Sequence, residues 1–129
     1  MPIEKKYFIK LDCRVKEFEV NNSKTIIKQI IKLSTLNNSG KKVPLKRKLE
    51  FYLDVNKVPK PYEVYWKVKN EGNEAERLNC IRGEIFKSIK APFDILEEES
   101  SFAGNHYVEC YIVKNGVCVA KDKIDVPIG

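Results

Sequence analysis

Three stretches of the chain alternate apolar and polar side chains with a period of two, and that periodicity narrows the fold more than any other feature. In KYFIKLDCRV, Tyr7, Ile9, Leu11, Cys13 and Val15 share one face, while Lys10, Asp12 and Arg14 share the other. RKLEFYLDV sets Leu49, Phe51, Leu53 and Val55 against Lys48, Glu50, Tyr52 and Asp54. YEVYWKVK does the same with Tyr62, Val64, Trp66 and Val68 against Glu63, Tyr65, Lys67 and Lys69. Successive side chains of a strand point to opposite faces, so each stretch reads as a strand with one side buried. Phe18 and Val20 then fall in the opposite phase, which predicts a bulge or bend, in one long strand or two.

Between these strands the pattern changes. In SKTIIKQIIKL, Ile26, Ile27, Ile30 and Ile31 recur at helical spacing behind a possible cap at Ser23, which predicts a short helix over 23–33, although Ile is itself a strand former. STLNNSGKK reads as a loop, and Pro59 and Pro61 enforce an extended connection. From Asn70 to Arg82 the spacing is irregular, with one helical turn possible in EAERLN. GEIFKSI suits a strand and APFDILEEESSFAG a long loop with an acidic middle. VECYIVKNGVCVA is a hairpin turning at Asn115-Gly116, which sets Val113 opposite Cys118 and Cys110 opposite Lys121. Val108, Cys110, Ile112, Val117 and Val119 share its apolar face, with His106 on the same face at the strand's beginning. Short strands with turns between them and little helix predict one mainly β domain over residues 1–129, a β-sandwich.

Composition agrees with a folded chain: 43% hydrophobic and 33% charged residues over 129 positions suffice for one core. No apolar run approaches the roughly 20 residues of a membrane span, and MPIEKKYFIKL has no apolar leader, so an intracellular, cytoplasmic chain with no membrane contact is expected. Cys13, Cys80, Cys110 and Cys118 lack zinc-site spacing and read as reduced, packed thiols, with Cys110 and Cys118 on opposite faces. The net charge of +6 is concentrated in residues 1–61, which hold 15 Lys/Arg against 6 Asp/Glu. Its densest run, KKVPLKRK, has no interleaved aromatics and no nucleic-acid motif beside it, so it reads as a solvated loop and argues against nucleic acid as a partner.

Enzyme signatures are missing from the sequence: no phosphate loop, no nucleophile elbow, and a single His, which removes paired-His metal motifs. No cofactor and no metal are expected. Glu97, Glu98 and Glu99 read as a solvated acidic loop. Among possible binding residues, Trp66 is either a core anchor, the favoured reading, or a stacking platform for a base. Asn70 and Gly72 serve a turn. Arg82, before Gly83, can grip a carboxylate or phosphate in bidentate fashion, or pair internally with Glu74 or Glu109. His106 either bonds a ligand or satisfies a nearby backbone carbonyl.

Together, PYEVYWKVKNEGNEAERLNCIRGEI and SSFAGNHYVECYIVKNGVCVAKDKIDVPI resemble the adenylyl/guanylyl cyclase and SMODS C-terminal sensor domain. The matching motifs are Pro61-Tyr62, Trp66 to Ala75, Arg82-Gly83, Gly104 to Glu109 and Val117 to Ala120; the first 40 residues match only as a strand-rich lead-in. The resemblance implies an immunoglobulin-like sandwich with at most one or two short helices. It also implies a non-catalytic sensor in bacterial anti-phage defence, which binds a nucleotide-like or other small anionic, infection-derived ligand. Such a domain reports to a second-messenger nucleotidyltransferase or cyclase domain, in cis or in trans. Trp66, Asn70, Glu74, Arg82, His106 and Glu109 are its expected ligand-binding residues: Arg82 for an anionic group, His106 and Glu109 for hydrogen bonds, Trp66 as a wall. The hairpin register turns Glu109 away from His106, so a shared pocket requires a bulge or a site wrapping the strand's end. The alternative is a protein-interaction module of the same system with no small ligand, which presents a flat surface or a free strand edge.

Overall fold

A computed structural model describes residues 2–70 and 84–129. Among these residues eight strands and one helix follow in order: β1 (Ile9–Asn21), β2 (Lys24–Lys32), α1 (Leu33–Asn38), β3 (Lys48–Asn56), β4 (Glu63–Lys69), β5 (Ile85–Lys87), β6 (Ile95–Glu99), β7 (Gly104–Lys114) and β8 (Val117–Ile128). They form two antiparallel four-stranded sheets, β2-β1-β3-β6 and β5-β4-β7-β8. The alternating stretches become β1, β3 and β4, and their apolar faces meet as one core around Cys13, Phe51, Val64, Trp66, Cys110 and Ile112. This is the sandwich that the alternation predicts.

Residues 24–32 are a strand and not a helix. Asn22 and Ser23 both take positive φ, 50° and 63°, in a two-residue turn that folds β2 back along β1, where β-branched isoleucines are well accommodated. Ser23 thus serves the turn and caps no helix. One long β1 carries the phase change, and the register shifts at Glu17/Phe18, where Lys28 of β2 is the extra residue.

The helix comes one step later, inside the stretch expected to be a loop. Leu33 and Leu36 turn into the core, three apart on one face. Its first turn has no cap of its own; instead the buried Asp12 carboxylate accepts from Ser34 N (3.2 Å) and Ser34 Oγ (2.7 Å). At the far end Gly40, at φ 66°, closes the helix, with Gly40 N donating to Asn37 O and Lys41 N to Leu36 O.

A second loop expectation also gives way: Ile95–Glu99 pairs with β3 as an edge strand, with Glu97 opposite Glu50 and Glu99 opposite Lys48. Charged side chains at a sheet border discourage further pairing. The basic run after α1 is a mostly exposed loop leading into β3, as expected, and it is also tied down. Val43 exchanges backbone bonds with Pro127 and Gly129, and the buried Ser100 hydroxyl bonds Arg47 N (2.8 Å) and Pro44 O (2.7 Å).

The closing hairpin turns at Asn115-Gly116, with Val113 opposite Cys118 as expected. Beyond that pair a bulge adds Val119, so Cys110 faces Asp122 where Lys121 was expected. The shift has a use. It turns Asp122 inward, where its carboxylate accepts from Leu11 N of the other sheet at 2.7 Å. Lys121 is thereby left on the outer face. Cys110 and Cys118 do lie on opposite faces, and Cys13, Cys110 and Cys118 are free and buried. Burial pushes the Cys13 and Cys110 thiols far above their ordinary range. Cys80 lies outside the described residues.

Candidate functional site

The sandwich leaves an open cavity of about 450 Å³ at the end where β7 begins and β8 finishes, lined by Asn37, Asn105, His106, Tyr107, Asp125 and Pro127. Three elements build it. The ladder sets Asn105 opposite Pro127, His106 opposite Val126 and Tyr107 opposite Asp125, while α1 supplies Asn37 from the other side. Because α1 is held by Asp12 and by its two leucines, Asn37 has a fixed place. Its amide donates from Nδ2 to Asp125 O at 3.0 Å. Asn37 Oδ1 is buried and has no hydrogen-bond donor among the described residues. A buried acceptor left unpaired is costly.

His106 is 5% exposed. Its Nε2 lies 2.7 Å from the Phe102 carbonyl oxygen, which can only accept, so Nε2 carries the proton. The imidazole therefore satisfies a backbone carbonyl and lines the cavity as well; the two readings of this residue are compatible. Tyr107 stands on the outer face, with Lys67 Nζ and Lys123 Nζ at 5.6 Å and 4.3 Å from its ring centre. Asn70, half-buried, directly follows Lys69, which is opposite Tyr107, so the chain leaves β4 on this side of the sheet.

The other expected site residues lie elsewhere. Trp66 is fully enclosed in the core opposite Cys110, the anchor role favoured from the sequence, with its indole N–H unpartnered among the described residues. Glu109 is buried on the opposite face of β7 from His106, and the ladder between them contains no bulge. It accepts from Tyr111 Oη at 3.0 Å and pairs with Lys121 Nζ at 3.0 Å. Burial alone would raise its carboxyl, but the bonds from Lys121 and Tyr111 outweigh that and hold it below the ordinary value of 4.5. Glu74 and Arg82 lie outside the described residues.

Asn37, Asn105 and Asp125 escaped sequence reading. Asn105 adjoins His106 in the chain, which was a signal; Asn37 was hidden in a stretch taken for loop. Other cavities lie elsewhere among the described residues. One, of about 340 Å³, lies beside Tyr62 and Phe93 at the opposite end of the sandwich. Another, of about 250 Å³, lies between the base of β1–β2 and the basic run, where Arg47 pairs with Glu17 at 3.5 Å.

Among the described residues no group of His, Cys, Asp and Glu is placed to hold a metal, and no helix is long and apolar enough to cross a membrane. No curated protein matches the chain. A family model does, over residues 1–129, and so includes the first 40 residues whose likeness was only general. The chain belongs to the family of the adenylyl/guanylyl and SMODS C-terminal sensor domain.

Proposed function

We propose that the chain is a ligand-sensing unit whose His106-end cavity binds a nucleotide or nucleotide-like, infection-derived signal and passes its occupancy to a nucleotidyltransferase. The family's role as a C-terminal sensor for nucleotidyltransferases supports the second half of this reading. The first half is carried by one observation, the convergence of Asn37, Asn105, His106 and Tyr107 on one open cavity at the end of the sandwich. Asn37, Asn105 and Tyr107 offer amide and hydroxyl groups of the kind that pair with a base or sugar edge. Arg82, from the sequence motif, would grip a phosphate. Trp66 and Glu109 act behind this surface, as core anchor and outer-face brace. The setting in bacterial anti-phage defence, in the cytoplasm and without catalysis by this chain, rests on the family resemblance.

Thermal unfolding against a panel of nucleotides and cyclic oligonucleotides tests this. At about 100 times its dissociation constant, a true ligand adds about 2.7 kcal/mol of stability. The shift should vanish in Asn105→Ala, an exposed position, while the unliganded melting temperature stays unchanged. No shift with any member of the panel overturns the ligand reading and favours the interaction module.

A further inference from the structure

Among the described residues the sandwich has four sheet borders, and three of them are guarded. β8 is covered at both ends. Residues 2–7 bond Cys118 and Val119, and Val43 bonds Pro127 and Gly129. β6 carries three consecutive glutamates, and β5 is only three residues long. β2 is the exception. It is nine residues long, nothing among the described residues pairs its outer side, and Ile26, Ile27 and Ile30 are 49%, 50% and 48% exposed. Such a border is a template for another strand.

The bulge says which strand fits. Partners across a ladder share a face. Val15 points into the core, so Glu17 and Glu19 lie on the inner side of β1 by alternation, and Lys16, Phe18 and Val20 on the outer side. Their partners place Ile31, Gln29 and Ile26 on the inner side and Ile30, Ile27 and Thr25 on the outer side. Lys32, opposite Arg14, is also outer. Lys28, the extra residue, has its Nζ 3.9 Å from Glu17 Oε1, and so is inner. The inner set 26, 28, 29, 31 and the outer set 25, 27, 30, 32 are each mirrored about the Lys28–Gln29 bond.

From this symmetry we propose that β2 is a self-pairing edge, through which two copies of the chain join antiparallel about a two-fold axis at Lys28–Gln29. In that register Ile27 meets Ile30 and Ile26 meets Ile31 of the second copy, Lys28 meets Gln29, and Thr25 meets Lys32. Isoleucines stack on both faces, and no lysine is set opposite a lysine. Centring on Lys28 itself would put Lys28 against Lys28 and pair inner with outer side chains, which a ladder does not permit. The bulge and the lysines also resist pairing in any other register, so the edge is selective for its own sequence. A pair of nine-residue edges is a small interface, below about 1,200 Å², and should dissociate at micromolar concentration. This association does not depend on the ligand reading.

Sedimentation equilibrium on the chain, from roughly 10 to 500 µM to bracket such an interface, reads it directly. The average mass should climb from 15.0 kDa toward twice that value. Ile27→Lys should hold it at the monomer. The double variant Ile27→Lys with Ile30→Glu sets opposite charges against each other across the axis, and should restore a dimer that high salt weakens. A wild-type monomer at every concentration overturns the proposal. So does a dimer indifferent to Ile27→Lys, or one lost in the single variant and not regained in the double.

Discussion

The two long hairpins of this chain, β1–β2 and β7–β8, each contain one bulge and differ in almost everything that surrounds it. In β7–β8 both faces are packed: Cys110, Ile112 and Val126 go to the main core, and Tyr111, Val113 and Cys118 to a second cluster outside it. The bulge there re-aims one side chain, Asp122, to a backbone N–H in the facing sheet. In β1–β2 only the base reaches the core, and residues 18–30 stand mostly in solvent. The same irregularity thus fixes an internal contact in one hairpin and shapes an outward surface in the other. Burial decides which.

That contrast can be broken by substitution. Ile112→Ala, at a wholly enclosed position, should cost about 2–5 kcal/mol by chemical denaturation, whereas Ile27→Ala on β2 should cost under about 0.5 kcal/mol in dilute solution. Equal losses would mean the β1–β2 tip is packed. Next, Asp122→Ala strands Leu11 N–H in the interior and should cost about 1–3 kcal/mol, with Asp122→Asn recovering part of it because an acceptor remains. If the two variants melt together, the bulge positions nothing.

Acid offers a gentler probe. Glu109 is held below 4.5 against its burial by Lys121 and Tyr111, and Glu50 is held below it chiefly by the bond from Lys16, with Arg14 adding to it. A carboxyl depressed in the folded state stabilises it above the unfolded value, and that contribution is lost as pH falls from about 4.5 through the folded value. Stability should therefore decline over that window, and Glu109→Gln should flatten the decline; an identical profile would remove Glu109 from the account. The smallest effect concerns the turns. The β7–β8 turn has Gly at its second position, while the β1–β2 turn places Ser23 at φ 63°. Ser23→Gly should gain up to about 1 kcal/mol, visible as a raised melting temperature.

Where alternation was strong and the buried face continuous, as in β1, β3 and β4, the sequence was enough to locate strands and core. Residues 24–32 misled because two Ile pairs flanking Lys28-Gln29 give the same spacing on a helix as on a bulged strand. Only the turn at Asn22-Ser23 and pairing with β1 decide between them. The closing hairpin was legible from Asn115-Gly116, but its bulge was not expected, and the purpose of that bulge needed Leu11, more than a hundred residues away. In the site, His106 was legible through its place at a strand's beginning. Asn37 was not, since its helix exists because Asp12 of another element holds Ser34.

The three glutamates on β6 have one more effect. An assembly that grows without limit needs two receptive sides per molecule, and the far margin of this sheet carries negative charge instead of a template. Joining through β2 would therefore stop after a single addition, as a closed pair, and no filament would propagate from it.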